Sequence, residues 1–134
     1  MTESLSEGNP LALIIEDHDL MVEICRIALE HAQFEVEVVQ DGQLALDRLA
    51  TITPALILLD LHLPNVSGEQ VLDYIRATEH LSRTQVILTT ADIPRAKELQ
   101  HRVDFILEKP FSFFALYELA KTLRFPHMDT EGGV

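Results

Sequence analysis

The chain has 134 residues and a formal net charge of −12, with 10 Lys and Arg against 22 Asp and Glu. That length suits one domain around one core, and the charge, with no cluster of Lys and Arg, argues against a nucleic-acid-binding face. No apolar run is long enough to span a bilayer and no charged-then-apolar leader is present, so the expectation is a soluble, cytoplasmic domain that does not enter membranes.

LALII (Leu11 to Ile15) reads as a strand buried on both faces: short, continuous and without alternation. Leu20, Ile24, Ile27 and Ala28 then recur at helical spacing, and the single Cys25 falls where a buried core thiol is expected. EVEVV (Glu35 to Val39) is a second, alternating strand. Asp41-Gly42 turns the chain and can cap a helix carrying Leu44, Ala45 and Leu49. LILLD (Leu56 to Asp60) is a third strand, and Ser67 to Thr78 reads as a helix. QVILT (Gln85 to Thr89) is a fourth strand, with a short helix after Pro94. VDFIL (Val103 to Leu107) is a fifth strand, and a last helix runs from about Phe111 to Arg124. Strand and helix alternate throughout, which predicts an α/β domain: one doubly wound, five-stranded parallel sheet with helices on both faces. Residues 11–124 form that domain; residues 1–10 and 125–134 read as flexible ends.

In an open parallel sheet, ligands bind beyond the carboxyl ends of the strands. Glu16 and Asp17 follow the first strand, Asp60 ends the third, Thr89 and Thr90 follow the fourth, and Lys109-Pro110 comes after the fifth. Each has a plain structural alternative: Asp17 or Asp19 could cap the first helix, Asp60 could be a loop residue, and Lys109-Pro110 could merely enter the last helix. The coincidence on one rim is harder to explain that way. Carboxylates gathered closely repel one another unless a cation sits among them, and a hard divalent ion, Mg²⁺ by preference, removes the conflict. A lysine and a hydroxyl beside it suit a phosphate group. Asp60, on a rigid strand end followed by a turn, is placed to attack phosphorus as an aspartyl phosphate forms. Pro64 and Gly68 are then expected to clear space for metal and donor.

The stretches IIEDHD, LILLDLHLPNVSG, VILTTA and EKPF, in this order and on these strand ends, resemble the receiver domain of bacterial two-component response regulators. The resemblance covers about residues 11–124 and implies the flavodoxin-like strand order 2-1-3-4-5. It implies Asp60 as phosphoacceptor, Glu16 and Asp17 as Mg²⁺ ligands together with Asp60 and the His62 carbonyl, Thr90 as the switch hydroxyl and Lys109 as partner of the phosphoryl oxygens. It further implies a cis Lys109-Pro110 bond, and His62 and Asp92 as residues that tune phosphate lifetime. A sensor histidine kinase or a phosphotransfer protein would supply the phosphoryl group.

Two features depart from the family pattern. Ile106 stands where receivers carry an aromatic, and Phe105 is expected to point to the opposite face. The stretch between Thr90 and Lys109 is a few residues short, so the fourth helix should be brief or irregular. In the last helix, Phe113, Leu116, Ala120 and Leu123 make one stripe, while Phe114, Tyr117 and Lys121 make another. With Ile106, the Phe114/Tyr117 pair is a candidate surface for a downstream protein or a homodimer, unless both rings widen the core. The resulting expectation is a stand-alone phosphorylation switch or relay, not an enzyme acting on separate substrates. The alternative is an adaptor that keeps the fold for docking without phosphorylation. Metal-dependent hydrolysis of a phosphate ester is a weaker third reading.

Overall fold

The computed structural model describes residues 8–124. It holds strands β1 (Leu11–Ile15), β2 (Glu35–Val39), β3 (Leu56–Asp60), β4 (Gln85–Thr90) and β5 (Phe105–Glu108). Between and after them lie helices α1 (Asp19–His31), α2 (Gly42–Leu49), α3 (Gly68–Ala77), α4 (Ile93–Leu99) and α5 (Phe113–Arg124). All neighbouring strands pair in parallel, in the order β2-β1-β3-β4-β5.

The continuous apolar runs of β1, β3 and β4 follow from burial on both faces. Leu13, Ile15, Ile57, Leu59, Val86 and Leu88 point to one side and pack under α2, α3 and α4. Ala12, Ile14, Leu56, Leu58 and Ile87 point to the other and pack under α1 and α5. The edge strands β2 and β5 are only partly covered, and β2 accordingly alternates Glu with Val. Among the described residues no helix is long and apolar enough to cross a membrane.

Helix starts follow local polar chemistry. The Asp41 carboxylate accepts the N–H groups of Gln43 and Leu44. Ser67 and Gln70 cap α3 reciprocally, and Asp92 caps α4 by accepting the Arg95 N–H. Neither Asp17 nor Asp19 caps α1; the His18 ring does, accepting the Met21 N–H. Helix α5 starts at Phe113 rather than near Phe111, because Ser112 accepts the Ala115 N–H and fixes the first turn there. Strand β5 runs from Phe105 to Glu108 instead of from Val103 to Leu107: at its start the Asp104 carboxylate takes the Val86 N–H. Helix α4 has seven residues and passes into a 3₁₀ turn at Gln100–Arg102, as the short sequence there requires.

Several stripes sit rotated from their expected places. On α1 the buried residues are Val22, Cys25, Ala28 and Leu29, whereas Leu20 and Ile27 are exposed. On α2, Ala45 and Leu49 are buried but Leu44 faces out. On α5, Leu116 and Ala120 are fully buried and Tyr117 packs at the edge of the core, while Phe114 is 63% exposed. Ile106 is partly buried and packs against the core, and Phe105 is exposed.

Candidate functional site

Strand order reverses between β1 and β3: the chain leaves β1 for the outer strand β2 and returns on its other side. The crevice this opens lies beyond the strands' carboxyl ends. Glu16, Asp60 and Thr90, each at or next to a strand end, are buried there despite their polarity. Glu16 is fixed as an extension of β1 by its N–H bond to the Val39 carbonyl, 3.1 Å. Lys109 follows β5, and its N–H donates to the Thr90 carbonyl at 2.9 Å. The Lys109-Pro110 bond is cis.

The Lys109 ammonium lies 2.8 Å from Glu16 Oε1 and 3.3 Å from Asp60 Oδ1. The His62 N–H reaches the same Asp60 oxygen at 3.4 Å. Among the described residues Asp60 Oδ2 receives no hydrogen bond, so one carboxylate oxygen is left for an incoming group. A depression of about 430 Å³ opens over it, lined by Glu16, Asp17, His18, Met21, Asp60, His62, Ala91 and Lys109. Asp17, His62 and Asp92 are exposed.

Burial and the charge of Glu16 push Asp60 above the usual carboxylate range, and Lys109 pulls against them without prevailing. Burial by itself would lower the Lys109 ammonium; its hydrogen bond to Glu16 and the Asp60 charge outweigh burial and leave it raised. One oxygen from each of Glu16, Asp17 and Asp60 lies within 4.8 Å of the others. An all-oxygen donor set carrying excess negative charge fits a hard divalent cation such as Mg²⁺.

The Thr90 hydroxyl accepts the Asp92 N–H at 2.9 Å, and among the described residues it makes no hydrogen bond to Asp60. The Asp92 side chain is occupied in capping α4. Gly68 serves closeness of backbone rather than open space: a Cβ there would stand 2.3 Å from the Asp60 carbonyl oxygen and 2.7 Å from Leu61. The start of α3 is thereby pressed against the end of β3, and the Gly68 N–H donates to the Leu61 carbonyl at 2.9 Å. His18, which sequence did not single out, both caps α1 and lines the depression. Nothing in the sequence flags it apart from its place next to two acids.

The sequence profile of the response regulator receiver domain matches residues 12–121. The transcriptional regulatory protein TrcR of Mycobacterium tuberculosis is 31% identical over 122 residues, which span 89% of this chain and 46% of the relative. This chain therefore spans less than half the length of that regulator. The polar-differentiation response regulator DivK of Brucella ovis is 31% identical over 113 residues, covering 82% of this chain and 92% of its own. Among solved structures, the receiver domain of the sensor histidine kinase PA1611 from Pseudomonas aeruginosa superposes with a TM-score of 0.77 at 26% identity. The match covers 87% of this chain and 98% of that one, and that structure holds a magnesium ion coordinated in its active-site cleft.

Proposed function

Because this chain belongs to the response regulator receiver domain family, we propose that Asp60 is its phosphoacceptor and that the phosphorylated domain switches a protein–protein interaction or passes the group along a relay. The observation that carries this reading is the buried Asp60 carboxylate, paired with Lys109 through one oxygen and open to the depression through the other. Glu16, Asp17, Asp60 and the His62 carbonyl would hold Mg²⁺, which when bound supplies positive charge beside the transferring phosphoryl group.

An Asp60 oxygen attacks phosphorus as the bond from phosphorus to the donor nitrogen of a phosphohistidine breaks. The imidazole leaves with the bonding pair and takes up a proton. Lys109 trades part of its contact with Glu16 for the phosphoryl oxygens and offsets their charge. The adduct replaces one negative charge by roughly two and brings phosphoryl oxygens next to Thr90, whose hydroxyl turns toward them and draws the loop after β4 along. The change is a shift between two arrangements already available to the fold. His62 lines the depression and Asp92 follows its lining residue Ala91; in this reading the two tune access of a hydrolytic water. A sensor histidine kinase or phosphotransfer protein is the donor, and the Phe114/Tyr117 surface, with Tyr117 on the opposite side of the sheet from Ile106, is the candidate contact for a downstream protein or a second copy.

The shortened α4 and the core-packed Ile106 favour one competing reading, an adaptor that never takes phosphate. Intact mass after incubation with Mg²⁺ and acetyl phosphate separates the two. The switch gains one phosphoryl group, about 80 Da, in wild type and none in Asp60→Asn. No gain in wild type would favour the adaptor.

A further inference from the structure

Thr90 is connected to more than its own loop. Its hydroxyl holds the Asp92 N–H at 2.9 Å. Asp92 begins α4, accepting the Arg95 N–H at 3.2 Å through its carboxylate and the Ala96 N–H at 3.0 Å through its carbonyl. In the same first turn, the Arg95 guanidinium reaches across to α3 and grips both oxygens of Glu69, with a further hydrogen bond to Glu98. Glu69 belongs to the fixed side of the site, since the preceding Gly68 is pressed against the Asp60 carbonyl. A continuous path therefore runs from the phosphoacceptor strand through Gly68, Glu69, Arg95 and Asp92 back to the Thr90 hydroxyl.

A Thr90 hydroxyl that turns toward Asp60 must release the Asp92 N–H or carry Asp92 with it. Carrying Asp92 displaces the first turn of α4, and a seven-residue helix has little length over which to bend. That displacement disturbs the Arg95–Glu69 geometry, and release without displacement gives up the Thr90–Asp92 hydrogen bond that this geometry holds in place. The side chains of Arg95 and Glu69 are 40% and 34% exposed, so the pair is a modest restraint rather than a lock. With Ile106 in place of an aromatic ring, the path through α4 is the one that the Thr90 hydroxyl makes by hydrogen bonds among the described residues.

We propose that the Glu69–Arg95 pair is a latch that holds Thr90 in its withdrawn position, so that opening it strengthens the grip of the Asp60 site on a phosphoryl group. Glu69 and Arg95 are positioning residues: they touch neither metal nor phosphoryl group and act through Asp92 and Thr90. By linkage, whatever the latch contributes to the withdrawn state is subtracted from phosphoryl binding. The proposal rests on the phosphoacceptor reading above.

The test titrates Mg²⁺-loaded protein with beryllofluoride, a mimic of the aspartyl phosphate, and follows the amide signals of Thr90 and Asp92 by NMR. Glu69→Gln and Arg95→Gln should each tighten apparent affinity by about two- to five-fold, the range of a partly exposed ion pair. The exchanged pair, Glu69→Arg with Arg95→Glu, should return toward wild type. In protein without metal or fluoride, hydrogen exchange at the Asp92 amide should quicken in both single variants. A merely structural strap would lower thermal stability and leave affinity unchanged or weaker, and that result overturns the latch. Wild type that takes no beryllofluoride would refute the phosphoacceptor reading instead; Asp92 exchange then decides the latch alone, and unchanged exchange in the single variants refutes it.

Discussion

Replacing Asp60 by Asn should stabilise the metal-free protein while abolishing its response to Mg²⁺. At an effective dielectric near 20, two unit charges 4.8 Å apart repel by about 3.5 kcal/mol, so Glu16 presses on Asp60 at least that strongly. Lys109, 3.3 Å away, returns about 5 kcal/mol on the same scale. Desolvating a buried carboxylate costs several kcal/mol more, and exposed Asp17 adds a screened repulsion. The raised Asp60 carboxyl agrees that burial and Glu16 together outweigh Lys109. Asn keeps the shape, removes the charge and leaves Lys109 paired with Glu16. The expected gain is about 1–2 kcal/mol, a Tm rise of roughly 3–8 °C for a domain of this size. In urea or thermal denaturation, saturating Mg²⁺ should then raise wild type by about 2.7 kcal/mol at one hundred times its Kd, and Asp60→Asn far less. An Asp60→Asn protein less stable than metal-free wild type, or equal stabilisation of both by Mg²⁺, would refute this account of the site's charge balance.

Gly68→Ala forces a Cβ to within 2.3 Å of the Asp60 carbonyl oxygen; it should cost about 1–3 kcal/mol in urea unfolding and slow phosphoryl uptake by displacing the end of β3. Burial, reinforced by Glu16, pushes the Cys25 thiol from its usual 9.0 to about 12, so folded protein at pH 8 should resist iodoacetamide while unfolded protein is alkylated. Because that pKa is higher in the folded state, the thiol's contribution to stability is complete below about pH 9 and is lost as pH rises toward 12; Cys25→Ala should flatten this alkaline loss. Leu116→Ala, at a fully buried position, should cost about 2–5 kcal/mol, whereas Phe114→Ala, largely exposed, should stay within about 0.5 kcal/mol, as denaturant titration would show.

The sheet was legible because burial on both faces writes itself as unbroken apolar runs, and β1, β3 and β4 are such runs. The rim was legible because parallel strands deliver their carboxyl ends to one edge, so Glu16, Asp60, Thr90 and Lys109 could be grouped from far apart in the chain. Helical stripes were less so. Helix α1 carries apolar residues on two adjacent stripes, and a rotation of one residue decides whether Leu20 and Ile27 or Val22, Cys25 and Leu29 are buried. In sequence Gly68 suggests room beside Asp60, whereas its use is close packing of backbone against it. The His18 cap and the Glu69–Arg95 pair depend on side-chain reach between elements, which spacing along the chain does not encode.

The most direct measurement is to place the phosphoryl group on a residue. Protein treated with acetyl phosphate and Mg²⁺ is reduced with borohydride, which converts an acyl phosphate to an alcohol, and is then digested and sequenced by mass spectrometry. Homoserine at position 60, with none at Asp17 and no reduced glutamate alcohol at Glu16, is the predicted result. A reduced carboxylate residue elsewhere with Asp60 intact, or at no position in protein that remains folded, would contradict the assignment of Asp60 as phosphoacceptor.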